Sequence, residues 1–176
     1  MSADFRVPAL ATARLVLEPL DPGHAVEAFA PFADPALYRY MVGAPPVDVD
    51  ALRAHFARLQ RGSGRANEIW ANWLARRRDD SALAGWHQAT LTPPTASIAW
   101  VTFAPFRAQG YAREGAQAVL GWLARAKARE IVAQSDERNV ASGRTAVSLG
   151  FVANPEPIAE TLHGEATVDR IWRLHV

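Results

Sequence analysis

The sequence contains no cysteine, which excludes a disulfide framework, a zinc-thiolate cluster and a cysteine nucleophile together. It also lacks an excess of charge, with 19 Lys and Arg against 18 Asp and Glu and a formal charge of +1. No overall field draws the chain to nucleic acid or anionic lipid, so any anion site must be local. Uninterrupted apolar runs fall short of the roughly 18 residues that suggest a membrane span. Met1-Ser2-Ala3-Asp4-Phe5-Arg6 lacks the basic-then-apolar order of a secretory signal. These absences lead us to expect a soluble, cytoplasmic protein with no nucleic-acid and no membrane partner. A P-loop and a Gly-x-Ser-x-Gly elbow are missing as well, and the five histidines show no zinc-helix spacing, so we expect no metal. Gly62-Ser63-Gly64-Arg65-Ala66-Asn67 opens like a dinucleotide fingerprint but lacks the third glycine and follows a helical pattern, which rules out the Rossmann reading. With no repeat or flexible linker, 176 residues suit one domain, 1–176, around one core.

What is present alternates between helical and strand periods. Arg14 to Leu20 reads as a strand stopped by Asp21-Pro22-Gly23. A helix then runs from about Pro22 to Phe32 on Ala25, Phe29 and Phe32, and a second follows Asp48 on Leu52, Phe56 and Leu59. Ile69 to Ala75 and Ala82 to Leu91 predict a hairpin, and Ser97 to Phe103 a third strand after Thr92-Pro93-Pro94-Thr95. A helix from about Tyr111 to Ala128, a short strand Glu130 to Ala133, and a helix from Asn139 to Gly150 come next. Residues 155–164 read as loop and Thr167 to Val176 as a closing strand. The order predicts an α/β (α+β) fold, a mixed sheet with helices packed against it.

The segment from Ser97 to Ala112 carries the clearest chemistry, because a strand passes through a short loop into a long helix. The first N–H groups of a helix have no internal acceptor and sit at the positive end of its dipole, so an anion there satisfies donors and charge together. Gly110 permits close backbone approach and Arg107 adds a cation. No Ser, Thr, Asp or Asn stands at the junction to occupy the donors.

Arg107-Ala108-Gln109-Gly110-Tyr111-Ala112 resembles the acetyl-coenzyme A motif of the GNAT superfamily, Q/R-x-x-G-x-G/A, in its strand–loop–helix context. Arg14 to Leu20, Tyr38 to Met41, Asn139 to Ser142 and Leu149 to Phe151 resemble, in the same order, the ribosomal-protein N-terminal acetyltransferase subgroup. The resemblance covers about Arg14 to Val176. It implies a single domain with a mostly antiparallel sheet, helices on both faces, and a parallel strand pair that splays to admit the pantetheine arm. It further implies acetyl transfer from acetyl-coenzyme A to an amine. Backbone N–H groups of Ala108, Gly110, Tyr111 and Ala112, beside Gln109, would hold the pyrophosphate, with Arg107 and Arg113 next to it. Val101, Thr102 and Phe103 would bond the pantetheine and the thioester carbonyl, whose oxygen gains charge during attack. Asn139 is placed against the pantetheine, a role compatible with capping its helix.

Two positions depart from the family pattern. Many GNAT enzymes place a tyrosine where this chain has Ala146, leaving Ser142 as the candidate donor to the departing thiolate. Relatives often carry glutamate where Ser97 stands, so no indispensable general base is expected; Glu68 and His87 are the remaining candidates. The acceptor is expected among Tyr38, Trp70, His87 and Trp100, with Trp86 as a further wall and residues 38–46 as a closing loop. Most of the six tryptophans should simply pack in the core. A second reading is a coenzyme A-binding sensor or scaffold without transfer activity. Either form is compatible with a homodimer.

Overall fold

A computed structural model describes residues 6–176; Met1 to Phe5, most of the segment tested above for a signal sequence, lie outside the described residues. The elements in chain order are β1 (Leu10–Ala11), β2 (Leu15–Pro19), α1 (Ala25–Phe32), α2 (Val49–Arg61), β3 (Ile69–Arg77), β4 (Leu83–Thr92), β5 (Thr95–Thr102), α3 (Tyr111–Arg125), β6 (Glu130–Asp136), α4 (Val140–Ser148), β7 (Val152–Ala153), β8 (Ile158–Leu162) and β9 (Glu165–His175). The strands form one sheet in the order β1-β2-β3-β4-β5-β6-β9-β7, with β8 also pairing β9. Every pairing is antiparallel except β5 with β6. This is the mixed α/β sheet expected from the order of elements, and its mostly antiparallel pairing with one parallel pair is what the family resemblance implied.

Strand β3 shows how the sequence builds two core layers. Ala71, Trp73 and Ala75 belong to the layer under α3, whereas Leu74, with Trp70 packed beside it, faces α1 and α2. Successive side chains of a strand point to opposite faces, so an uninterrupted apolar run marks a strand covered on both sides. Asp48 starts α2 by accepting the Ala51 N–H at 2.7 Å, and Leu52, Phe56 and Leu59 are buried as their spacing predicts. Asp21 caps a tight turn, Pro22–His24, ahead of α1. Ala28 rather than Phe29 completes the buried face of α1 with Ala25 and Phe32.

Two segments differ from the sequence reading. Residues 155–164 contain β8, four of whose five residues are exposed, so there is no apolar alternation to reveal a strand made by backbone pairing with β9. Strand β6 continues beyond Ala133 through Gln134 and Ser135 to Asp136, paired along its length to β9. Its far end has no partner on the β5 side, which is why its sequence turns polar.

Candidate active site

The parallel pair supplies the central geometry. β5 and β6 register only at Thr95, Ala96 and Ser97 against Glu130, Ile131 and Val132. Beyond Ser97, β5 stays paired to β4 through Thr102 and β6 stays paired to β9 through Asp136, so a gap opens between them. The Phe103 N–H donates to the Ala84 carbonyl at 2.9 Å. Antiparallel alternation then commits the backbone of Ala99 and Val101 to β4 and turns the N–H and C=O groups of Ile98, Trp100 and Thr102 toward the gap. The free donors are therefore not those of Val101 and Phe103, as the sequence reading had them, but those of Trp100 and Thr102, since the Ser97–Val132 bridge uses the Ile98 N–H. Phe103 itself is 1 % exposed.

At the mouth of the gap lies the loop before α3. Ala108 and Gly110 have positive φ angles of 61° and 83°, and Gly110 caps α3 with no side-chain bond. The first bond of the helix runs from the Glu114 N–H to the Gly110 carbonyl at 3.0 Å. Among the described residues no acceptor meets the N–H groups of Gly110, Tyr111, Ala112 or Arg113, and exposed Arg107 and Arg113 flank them. Nothing in the sequence pattern marks what braces this loop. Arg14, in the turn between β1 and β2, donates Nη1 to the Gln109 carbonyl at 3.0 Å and Nε to Glu114 Oε2 at 2.7 Å, and lies 4.5 Å from the Tyr111 ring centroid. Burial pushes the Glu114 carboxyl upward, but bonds from Thr12 and Arg14 outweigh it and leave the pKa lowered.

Asn139 and Ser142 lie at the start of α4, just after β6. Asn139 Oδ1 accepts the Ser142 N–H at 3.2 Å, capping α4, while neither Asn139 Nδ2 nor Ser142 Oγ has a protein partner among the described residues. Asp136 fixes this turn. It is 2 % exposed and accepts from Arg138 Nη2 at 2.6 Å and Thr167 Oγ1 at 2.7 Å, and its carbonyl receives the Asn139 N–H at 2.9 Å. The Arg138 bonds hold its carboxyl far below the usual carboxylate range. Ala146 is fully buried.

The expected acceptor residues separate onto two faces. Tyr38 and Trp70 pack on the α1–α2 side, whereas Trp100 lies on the α3–α4 side, 6.1 Å from the Phe151 ring. His87 is 1 % exposed and points at α3, its Nε2 being 3.4 Å from the Ala112 carbonyl, so it does not border the acceptor face. Register decides this, since His87 pairs with Trp100 across β4 and β5. Glu68 accepts from Trp70 Nε1 at 2.9 Å, and bonds from Ser63, Trp70 and Arg65 lower its pKa, making it a poor base. A feature missed in the sequence lies on the same face: Gln88 Nε2 donates to Asn72 Oδ1 at 3.2 Å, with Gln88 opposite Ala99. Gln88 Oε1 and Asn72 Nδ2 remain without protein partners among the described residues. Residues 38–46 meet the β8–β9 turn, where His163 Nε2 is 2.8 Å from the Tyr38 carbonyl.

Comparison with known proteins identifies this arrangement, since residues 14–152 match the acetyltransferase (GNAT) domain family. The chain belongs to the GNAT acetyltransferase family. No curated protein matches it in sequence. Among solved structures, the GNAT fold of this chain is similar to RimL, the ribosomal L7/L12 α-N-protein acetyltransferase in complex with coenzyme A, with a TM-score of 0.82, 19 % identity, and 96 % of this chain and 98 % of that one covered. It is also similar to MccE, the microcin C7 self-immunity acetyltransferase in complex with acetyl-CoA and AMP, with a TM-score of 0.81, 14 % identity and 94 % of each chain covered. A GNAT acetyltransferase from Bacillus anthracis matches with a TM-score of 0.80 and 17 % identity over 96 % of this chain and 98 % of that one. As a GNAT member the chain is an N-acetyltransferase, and no helix among its described residues is long and apolar enough to cross a membrane.

Proposed function

We propose that this GNAT domain transfers an acetyl group from acetyl-coenzyme A to a primary amine, on a protein N-terminus or a small molecule, by direct attack in a ternary complex. The β5–β6 gap with the unpaired N–H groups of α3 at its mouth is the observation that carries this reading. The N–H groups of Ala108, Gly110, Tyr111 and Ala112, with Gln109, Arg107 and Arg113, receive the pyrophosphate. A groove of about 360 Å³ bordered by Arg113, Gln117, Gly121 and Ser148 continues from this loop and suits the nucleotide end. Thr102 and Trp100 lend backbone groups to the pantetheine and to the carbonyl oxygen as it gains charge.

The acceptor enters from the α1–α2 face, between Tyr38 and Trp70 and over Ala99, where Gln88 Oε1 accepts an N–H of the amine. Its lone pair attacks the carbonyl carbon, the C–S bond breaks, and Ser142 Oγ–H donates to the departing sulfur. Asn139 Nδ2 steadies the arm. The proton released by the amine passes to water, since an α-amine with a pKa near 8 is partly neutral at cytoplasmic pH. Ala146 and Ser97, where many relatives carry tyrosine and glutamate, favour a second reading: a coenzyme A-binding sensor. An amine panel assayed for free thiol with acetyl-, propionyl- and succinyl-coenzyme A separates the two. Turnover with any amine supports transfer, and coenzyme A binding without turnover across the panel supports the sensor.

A further inference from the structure

The transfer chemistry leaves unused a buried imidazole among the described residues. His87 is 1 % exposed on the α3 side of β4, and burial lowers its pKa to about 4, so the ring is neutral at physiological pH. Its Nε2 is 3.4 Å from the Ala112 carbonyl oxygen, while Nδ1 is buried with no partner among the described residues. A neutral imidazole carries one N–H, and an acceptor stands only at Nε2, so the proton belongs there. The ring occupies a notch in α3, because a Cβ on Gly115 would come within 2.4 Å of both Cε1 and Nε2. Glycine inside a helix is destabilising relative to alanine, and at this position it makes room for the imidazole.

We propose that His87 is a positioning residue for the anion-binding turn of α3. Its Nε2–H holds the Ala112 carbonyl from beneath, and that carbonyl shares a peptide group with the Arg113 N–H, one of the unpaired donors at the helix start. A hydrogen bond to the oxygen of a peptide polarises its N–H and strengthens it as a donor. Arg14 and Glu114 brace the same turn from the outer side, so His87 completes its support and fixes the direction in which the donors point. This inference rests on the reading that the α3 turn receives the pyrophosphate of coenzyme A.

Steady-state kinetics with acetyl-coenzyme A and with acetyl-pantetheine, which lacks the pyrophosphate, test it on wild type, His87→Leu and His87→Gln. His87→Leu should raise KM for acetyl-coenzyme A about three- to tenfold, the range of one neutral hydrogen bond. Its kcat and its kinetics with acetyl-pantetheine should stay within about twofold of wild type. His87→Gln, which keeps an N–H donor, should recover most of the loss. Equal losses on both thioesters, or no recovery with glutamine, overturn the proposal. If His87→Leu does not fold, Gly115→Ala reads the same effect, since its methyl displaces the ring from the notch; unchanged kinetics in that variant overturn the proposal. A wild type that uses both thioesters equally well overturns the underlying cofactor reading instead.

Discussion

Ser142 stands in the first turn of α4 with its hydroxyl unbonded among the described residues, beside an Asn139 that uses one amide atom for the cap and whose other has no partner there. That division of labour separates their variants. Ser142→Ala should lower kcat about 10²-fold, the lower end of what a positioned proton donor contributes, with coenzyme A affinity within about twofold of wild type. Asn139→Ala should cost about 1 kcal/mol of stability as a lost cap and weaken coenzyme A binding as well. Equal turnover in wild type and Ser142→Ala would remove the serine from the chemistry. Glu68 is held as a low-pKa carboxylate by its neighbours, so Glu68→Ala should cost less than about tenfold in kcat, well below the loss of a dedicated base. The pH dependence of kcat/KM should then follow the acceptor amine. His87 adds a stability signature: its pKa falls from 6.5 to about 4 on folding, so below 6.5 the unfolded chain binds a proton that the native chain does not. Its stabilising contribution is complete above pH 6.5 and is lost as pH falls toward 4. Thermal melts of wild type should therefore rise in temperature across that window, and His87→Leu should flatten the rise.

Among the elements, the β5–α3 connection was readable because its signals are local: a glycine with a positive φ, a flanking arginine and an uncapped helix start all lie within a few residues of each other. The brace on that connection was not readable, since Arg14 and Glu114 lie far apart in sequence and meet only once β2 has joined the sheet. Arg14→Ala should weaken coenzyme A binding about tenfold through a looser loop, since charge-assisted bonds are roughly twice as strong as neutral ones. Calorimetry on the folded variant checks this, and an unchanged affinity would make the brace ornamental. The acceptor side was read least well. Trp70 and Trp100 look equivalent as aromatic strand residues, but strand register sends them to opposite faces. One step of register likewise turns His87 toward α3 and its neighbour Gln88 toward Asn72. A period-2 pattern in which both faces are apolar carries no label for either face, and β8 went unread because its exposed residues carry no pattern at all.

At the scale of the whole molecule, the order of elements sufficed for the fold class, and the functional feature is a place where the sheet fails to close. β5 and β6 part after three paired positions, each held by its other neighbour, so the gap is bounded by two rigid ladders rather than by flexible loops. Helices α1 and α2 pack on one face of the sheet and α3 and α4 on the other. The α3 turn at the mouth of that gap is the proposed cofactor site. Calorimetric titration of coenzyme A into wild type and Gly110→Pro tests it most directly, because proline cannot adopt the φ of 83° at position 110 and removes one of the N–H donors. We expect one site per chain in wild type and affinity reduced at least about a hundredfold, the worth of a lost donor plus a misdirected turn, in a variant whose circular dichroism remains native. No heat of binding to wild type at millimolar coenzyme A, or equal affinity in the two proteins, would contradict the account.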